Sequence, residues 1–337
     1  MVTIYDIAKR TGFSPPTVSK ALNDQSDVSA STKQKILEVS RELGYIPNPN
    51  AKVLVTKKSW LIGLLFEEDD LGAGMEHPLF SGIMNAFKTR MEGEGYELLF
   101  IARNLGRKKM SLLDHCRYRS VDAVLVVNCN AKSDEVLEVT RSDFKIVSSN
   151  IVFPNVCSVT SENMRPAIEA VQYLYGLGHR EIAHIAGPQD DLAAAGKERL
   201  AGYSAGLAAC GLPYRDELVV VGELWNMRAG YAAMKTLWNS GARPTALFSS
   251  GDILTIGIMN ACRELGIRIP DDLSVVSFDD NDWAGHATPA LTTFRQDRAA
   301  IGATAADLML KLLRDKSVPN RTLIPVTFVE RASCRRI

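Results

Sequence analysis

The chain has 337 residues, 39 Lys and Arg against 39 Asp and Glu, 46% hydrophobic and 23% charged. A single core stops growing at roughly 250–300 residues, so two or three domains are expected, and the apolar content excludes a largely disordered chain. No apolar run reaches the roughly 18 residues of a membrane span. The opening Met1-Val2-Thr3-Ile4-Tyr5-Asp6 lacks the charged and apolar regions of a signal peptide, so a cytoplasmic location is expected. The six cysteines are scattered without a CxxC. They read as reduced thiols, not as a zinc site or a disulfide framework.

The zero net charge hides a split. Residues 1–59 carry nine basic and five acidic side chains, +4, which leaves −4 on the remainder. A basic module that meets a polyanion, attached to a neutral or acidic body, fits that asymmetry. Within the module, Ile4, Ile7 and Ala8 have helical spacing, and Gly12 punctuates. Ser14 is a good N-cap with Pro15 at the first helical position, and Val18, Ala21 and Leu22 then face inward. A third helix is expected over about Ser31–Leu43, capped by Ser31 or Thr32, with Ile36, Leu37, Val39 and Leu43 as its stripe and Gly44 as its stop. Three short helices with a tight Gly-containing turn between the first two describe a helix-turn-helix unit.

Pro47 and Pro49 then favour extended backbone. Asn50–Thr56 is too short, and too rich in β-branched residues, to be a stable helix alone. It reads as a hinge that orders only when something packs on it. From residue 60 strands alternate with helices. Expected strands are Leu61–Phe66, Glu97–Ala102, Ala123–Asn128 and Lys145–Ser149, then Ile182–Ala186, Val219–Val221, Ala246–Ser250 and Ser274–Phe278. Helical patterns lie between them, for example over Leu79–Glu94 and Glu198–Ala209. The tail adds Leu291–Phe294, a helix over Ile301–Leu313 and a strand over Ile324–Val329. Alternation implies parallel sheets covered on both faces, and two groups of four strands suggest two similar lobes. The expected division is a headpiece over 1–46, a hinge over 47–59, one lobe from 60–160 and 291–323, and another from 161–290 and 324–337. Facing strand C-termini would form a ligand cleft.

Several segments carry a resemblance. They include Val2-Thr3-Ile4-Tyr5-Asp6-Ile7-Ala8, Thr17-Val18-Ser19-Lys20-Ala21-Leu22-Asn23, and Leu43-Gly44-Tyr45-Ile46-Pro47-Asn48. Downstream come Leu177-Gly178-His179-Arg180, Arg199-Leu200-Ala201-Gly202-Tyr203, Pro270-Asp271-Asp272-Leu273-Ser274 and Phe278-Asp279-Asp280. Each motif is weak alone, but the ordered set spans essentially the whole chain. It resembles the lactose/galactose repressor family of bacterial transcription regulators. The resemblance implies an all-α helix-turn-helix headpiece on an α/β, two-lobed core like a periplasmic binding protein, with two parallel-sheet, Rossmann-like subdomains.

The resemblance also implies roles. The start of the second helix would meet the major groove, with Ser14, Pro15, Pro16, Thr17, Ser19 and Lys20 as its contacts. The prolines offer only apolar contact, whereas Lys20, where the family often has arginine, can reach guanine O6/N7. Thr3, Tyr5, Asn23 and Lys52 would position the phosphate backbone. Leu54 would wedge a minor-groove base step, with Ala51 permitting close hinge–hinge approach. The plainer alternatives are that Ser14 only caps its helix and that Leu54 packs on the core. In the cleft, Arg199, Trp225, Asp252, Asp279 and Phe80 would bind the effector. An arginine and a carboxylate can grip vicinal hydroxyls, and an indole suits the apolar face of a pyranose. Gly251 stands where many relatives carry asparagine, which removes one donor. The acidic segment Glu67–Met75 would roof the cleft.

Enzyme motifs are not completed. Gly72-Ala73-Gly74 does not extend to GxGxxG, no P-loop occurs, and the five histidines show no HExxH. The expectation is therefore a non-enzymatic, cofactor-free DNA-binding repressor of carbohydrate-utilisation genes. It would bind operator duplex as a homodimer, without a membrane partner, and leave it when a sugar occupies the cleft. The chain has no heptad tail, which favours a dimer over a tetramer. The alternatives are the same regulator with a co-repressor, or a sugar-binding protein or α/β enzyme without DNA function.

Overall fold

The computed structural model describes residues 2–46, 58–66, 75, 77–189 and 194–337. The chain divides into two units, Met1–Ser59 and Trp60–Ile337. The small unit holds α1 (Ile4–Thr11), α2 (Pro15–Leu22) and α3 (Ala30–Glu42). Local chemistry sets each boundary. Asp6 accepts both the Thr3 N–H and the Thr3 hydroxyl at 2.8 Å, which fixes the start of α1. Gly12 ends it at φ 78°, a conformation glycine adopts without strain. Ser14 caps α2 by accepting the Thr17 N–H at 3.3 Å. The cap of α3 is Ser29, not Ser31 or Thr32: its hydroxyl accepts the Thr32 N–H at 3.3 Å, so the helix starts earlier than expected. Ile7, Ala8, Val18, Ala21 and Ile36 are buried together. Leu37, expected in that stripe, is only half-buried and lies outside the cluster. Burial of each large aliphatic side chain stabilises by about 1.5–3 kcal/mol, a modest total for three helices.

The large unit opens with β1 (Leu61–Phe66), α4 (Pro78–Glu92), β2 (Glu97–Phe100) and a short hairpin, β3 (Asn104–Leu105) with β4 (Lys108–Lys109). It continues through α5 (Leu112–Arg119), β5 (Ala123–Asn128), α6 (Asp134–Thr140), β6 (Lys145–Ser149) and β7 (Cys157–Ser161). The chain then crosses to a second lobe. There it forms α7 (Met164–Gly176), β8 (Ile182–Ala186), α8 (Ala195–Ala209), β9 (Val219–Val221) and α9 (Met227–Asn239). This lobe closes with β10 (Ala246–Ser249), α10 (Asp252–Leu265), β11 (Ser274–Asp279) and β12 (Thr292–Gln296). Next α11 (Arg298–Leu313) packs in the first lobe, β13 (Arg321–Ile324) joins its sheet, and β14 (Val326–Val329) returns to the second.

Among the described residues each main sheet has six strands, ordered β13-β7-β6-β5-β1-β2 and β14-β12-β11-β10-β8-β9. All main-sheet pairings are parallel except β12 with β14. Buried aliphatic clusters cover the faces of each sheet, which is why β5 and β8 read as unbroken apolar runs. Helices α9 and α10 pack closely because a Cβ at Gly230 or Gly257 would fall 2.0 and 1.9 Å from facing carbonyl oxygens.

Three expectations need correction. The main sheets hold six strands each, more than the two groups of four and two tail strands expected: β7 and β13 carry too many hydroxyl and charged residues to read as apolar runs, yet every residue of β7 is buried. The expected tail strand Ile324–Val329 is two strands in different sheets, broken at Pro325, which has no N–H to donate. Finally, 291–296 belongs to the second lobe, because β12 pairs with β11 in register Val276↔Thr292 to Asp279↔Arg295. The crossover back to the first lobe therefore falls at Gln296–Arg298, and two further crossovers fall at Ser161–Met164 and at Pro325.

Candidate nucleic-acid interface and ligand cleft

In the small unit the start of α2 presents Ser14, Pro16 and Lys20 to solvent, with Pro15, Thr17 and Ser19 half-buried. Prolines at the first two positions leave no N–H unsatisfied and present an apolar tip. Ser14 and Thr17 hydroxyls lie 2.9 Å apart, so both serve the cap while remaining accessible. Lys20 is ion-paired with Asp27, whose carboxyl is held below its usual range by that hydrogen bond. Tyr5 is 68% exposed, and Asn23 donates to the Ser19 carbonyl at 2.9 Å. The structure thus gathers Ser14, Pro15, Pro16, Thr17, Ser19 and Lys20 on one short helix. Ala51, Lys52 and Leu54 lie outside the described residues, as does most of the acidic segment Glu67–Met75.

In the large unit a cleft of about 240 Å³ opens between the two lobes. The first lobe contributes His77, Leu79, Phe80, Asn128, Asn130 and Asn150 among others. The second contributes Arg199, Glu223, Trp225, Ile253, Asp279 and Gln296. The residues after β5, β6, β8 and β11 lie at strand C-termini, where parallel sheets leave a crevice.

Arg199, on α8, is 3% exposed. Its Nε donates to Asn163 Oδ1 at 2.9 Å, its Nη1 donates to the Ser250 carbonyl, and its guanidinium lies 3.5 Å from the Phe278 ring centroid. Asp279 Oδ1 faces it at 3.9 Å. Burial lowers the arginine to about 10, opposed by the Asp279 charge, so it stays a cation at neutral pH. Asp279 ends β11 at φ 119° and Asp280 follows at φ 55°, a turn that aims the Asp279 carboxylate toward the arginine. Such backbone costs about 1–3 kcal/mol per residue and persists where surroundings fix it. Gln296 Nε2 fixes Oδ1 at 2.6 Å, and the Asp252 N–H reaches Oδ2 at 3.2 Å. Burial raises the Asp279 carboxyl, against the lowering effect of Arg199 and His77.

Trp225 stands in the loop after β9, against two glycines. A Cβ at Gly187 would fall 2.2 Å from its ring, and one at Gly251 would fall 3.3 Å away. The glycine at 251 therefore makes room for the indole. Phe80 packs against His77 at 4.9 Å between ring centroids, and His77 caps α4 by accepting the Leu79 N–H at 3.3 Å. Burial lowers the His77 imidazole, and the Asp279 charge opposes that shift.

The structure brings Arg199, Trp225, Asp279 and Phe80 together, but not Asp252. That side chain is fully buried and absent from the cleft lining. Its oxygens accept from Ser277 at 2.7 Å, Thr293 at 3.1 Å and the Asn281 N–H at 2.7 Å. The first turn of α10 points it at the strand ends behind the cleft, where it braces Ser277, Asn281 and Thr293. Burial, then the charge of Asp279, raises it to about 8. Sequence reasoning missed Asn128, Asn150, Glu223 and Gln296. Their signal was position, since three of these four end or directly follow a parallel strand.

A helix-turn-helix unit joined to a two-lobed core with a cleft at its strand ends is the architecture of a DNA-binding regulator with a small-molecule site. The comparisons agree. Residues 3–48 match the model of bacterial regulatory proteins, lacI family, and residues 171–334 match a periplasmic binding protein-like domain. The probable HTH-type transcriptional repressor ExuR of Bacillus subtilis (strain 168) is 32% identical over 100% of this chain and 99% of its own. The HTH-type transcriptional repressor PurR of Erwinia tasmaniensis is 31% identical, covering 99% and 97%. Among solved structures, the lac repressor dimer bound to operator and the anti-inducer ONPF superposes with TM-score 0.82 at 27% identity, covering 99% of both chains. The CelR–cellobiose complex gives 0.71 at 27% identity, covering 99% and 100%. The chain belongs to the lacI family of bacterial regulatory proteins.

Proposed function

We propose that this regulator is a homodimeric repressor of carbohydrate genes, working in the cytoplasm, that binds a near-palindromic operator through α2 and leaves it when a sugar occupies the cleft. One observation carries the reading. A buried arginine and a carboxylate meet beside an indole wall on one lobe, with carboxamide side chains facing from the other. Hydroxyls suit that donor and acceptor set, and the ring suits an apolar sugar face. In related structures the lac repressor is bound to operator and CelR to cellobiose, which supports both partners. We read the cleft as one that binds and does not turn over, because its anchors are held by internal hydrogen bonds.

In the small unit, Ser14, Pro15, Pro16, Thr17, Ser19 and Lys20 would read the major groove, with Thr3, Tyr5, Asn23 and Lys52 on phosphates and Ala51 and Leu54 in the minor groove. Lys20 must exchange Asp27 for DNA, so its contribution should be salt-dependent. The effector shifts DNA affinity only through unequal affinity for two lobe arrangements. The test is a gel-shift titration on duplexes selected from a randomised library, with a panel of mono- and disaccharides. Weakened DNA binding with one sugar supports release, strengthened binding makes the ligand a co-repressor, and no response to any sugar overturns the reading.

A further inference from the structure

The charge of the cleft narrows its ligand. Among the described lining residues Arg199 is the sole lysine or arginine, against the two carboxylates Asp279 and Glu223. That one cation is already committed. Its Nε–H, one donor of the side-on fork by which arginine clamps carboxylates, is taken by Asn163 at 2.9 Å. Its Nη1 serves the Ser250 carbonyl, its face rests on Phe278, and Asp279 offsets its charge.

Glu223 is different. It is exposed at the mouth of the cleft, two residues before Trp225, and makes no hydrogen bond or ion pair among the described residues. Nearby acids are engaged: Glu198 holds Arg321 at 2.6 Å, and Asp280 holds Arg295 and Arg331, each at 2.7 Å. A carboxylate with open lone pairs at the mouth accepts hydroxyls and repels anions.

We propose that the cleft selects an uncharged sugar over the corresponding sugar acid or sugar phosphate, with Glu223 as the residue that sets this preference. The inference rests on the reading of the cleft as a sugar site. One excess negative charge about 6 Å from a ligand carboxylate corresponds to roughly a three- to hundredfold penalty, across effective dielectrics from water to a protein surface.

The experiment is calorimetric titration of the full-length protein with matched pairs: glucose and glucuronate, galactose and galacturonate, and glucose and glucose 6-phosphate. The neutral member should bind about tenfold or more tightly, and the gap should narrow in high salt. Glu223→Gln keeps the shape and removes the charge. It should shrink the gap severalfold while leaving operator affinity without sugar unchanged. An acid that binds as well as its neutral partner, or a gap unaltered in E223Q, overturns this inference and leaves the sugar site standing. Silence from every sugar, neutral and acidic, overturns the sugar site itself.

Discussion

The seat of Trp225 makes the sharpest prediction, because one methyl group should unsettle it. Gly187→Ala places a Cβ 2.2, 2.4 and 2.7 Å from the indole Cη2, Cζ2 and Cζ3. Carbon atoms rest at about 3.5–4.0 Å, so the ring must retreat by more than about 1 Å. Gly251 crowds the adjoining edge of the ring, where a Cβ would stand 3.3 Å from Cζ3, so retreat along that edge is also tight. The open direction is the cleft, where the displaced ring occupies ligand volume. Gly187 does not use a left-handed backbone, so alanine fits its dihedrals and the effect is steric. Overpacking costs about 1–3 kcal/mol, and the less flexible unfolded chain returns about 0.4–1 kcal/mol. Thermal stability should therefore fall by a few degrees at most, while sugar affinity falls tenfold or more and operator affinity without sugar stays constant. Calorimetric titration and thermal melts measure the two effects. The Trp225→Ala background is the control: with the ring gone, G187A should be nearly neutral, giving a coupling of about 1–2 kcal/mol between the sites. Unchanged sugar affinity in G187A, or a cost that persists without the indole, would refute the argument.

Three other perturbations test the braces. Arg199→Met leaves Asp279 buried without its cation and should destabilise the core by about 3–5 kcal/mol, with most of that recovered in R199M/D279N; urea denaturation of both variants decides. Ser14→Ala should cost the small unit about 1 kcal/mol and raise amide exchange at Thr17, with the core melt unaltered. Unchanged exchange at Thr17 would show that the cap does not hold α2. Asp252 is raised from 3.8 to about 8, so between those values the folded core holds a proton that the unfolded chain does not. Core stability should then fall as pH rises from about 4 to 8, by at most about 1.4 kcal/mol per unit, and Asp252→Asn should flatten that slope. An equal slope in D252N, measured by denaturant titration from pH 5 to 8, places the proton elsewhere.

How far the sequence shows all this depends on the range over which each feature is set. Gly12, Ser14 and Pro15 act within a few residues of themselves, so the boundaries of α1 and α2 were readable; Ser29 was passed over only because Ser31 and Thr32 compete for the same role. The apolar runs Ala123–Asn128 and Ile182–Ala186 declare buried parallel strands. Cys157–Ser161 does not, because its Ser158 and Thr160 hydroxyls find their partners far along the chain, the Asn320 carbonyl at 3.2 Å and the Arg321 guanidinium at 3.1 Å. The cleft is set at longer range still. Arg199, Trp225 and Asp279 were found through the family pattern, but their orientation comes from Gly187, Gly251, Asn163 and Gln296, scattered along the chain. Asp252 misled for the same reason: a polar residue opening a helix beside a ligand loop looks like a contact until the distant Ser277 and Thr293 claim it. Those long-range partners share one property. Asn163, which holds Arg199, lies on the first crossover between the lobes, and Gln296, which holds Asp279, begins the second. Glu198, next to Arg199, binds Arg321 at 2.6 and 3.0 Å, beside the third. A ligand that pulls on either anchor therefore pulls on a strand where the lobes join, which local sequence pattern alone cannot encode.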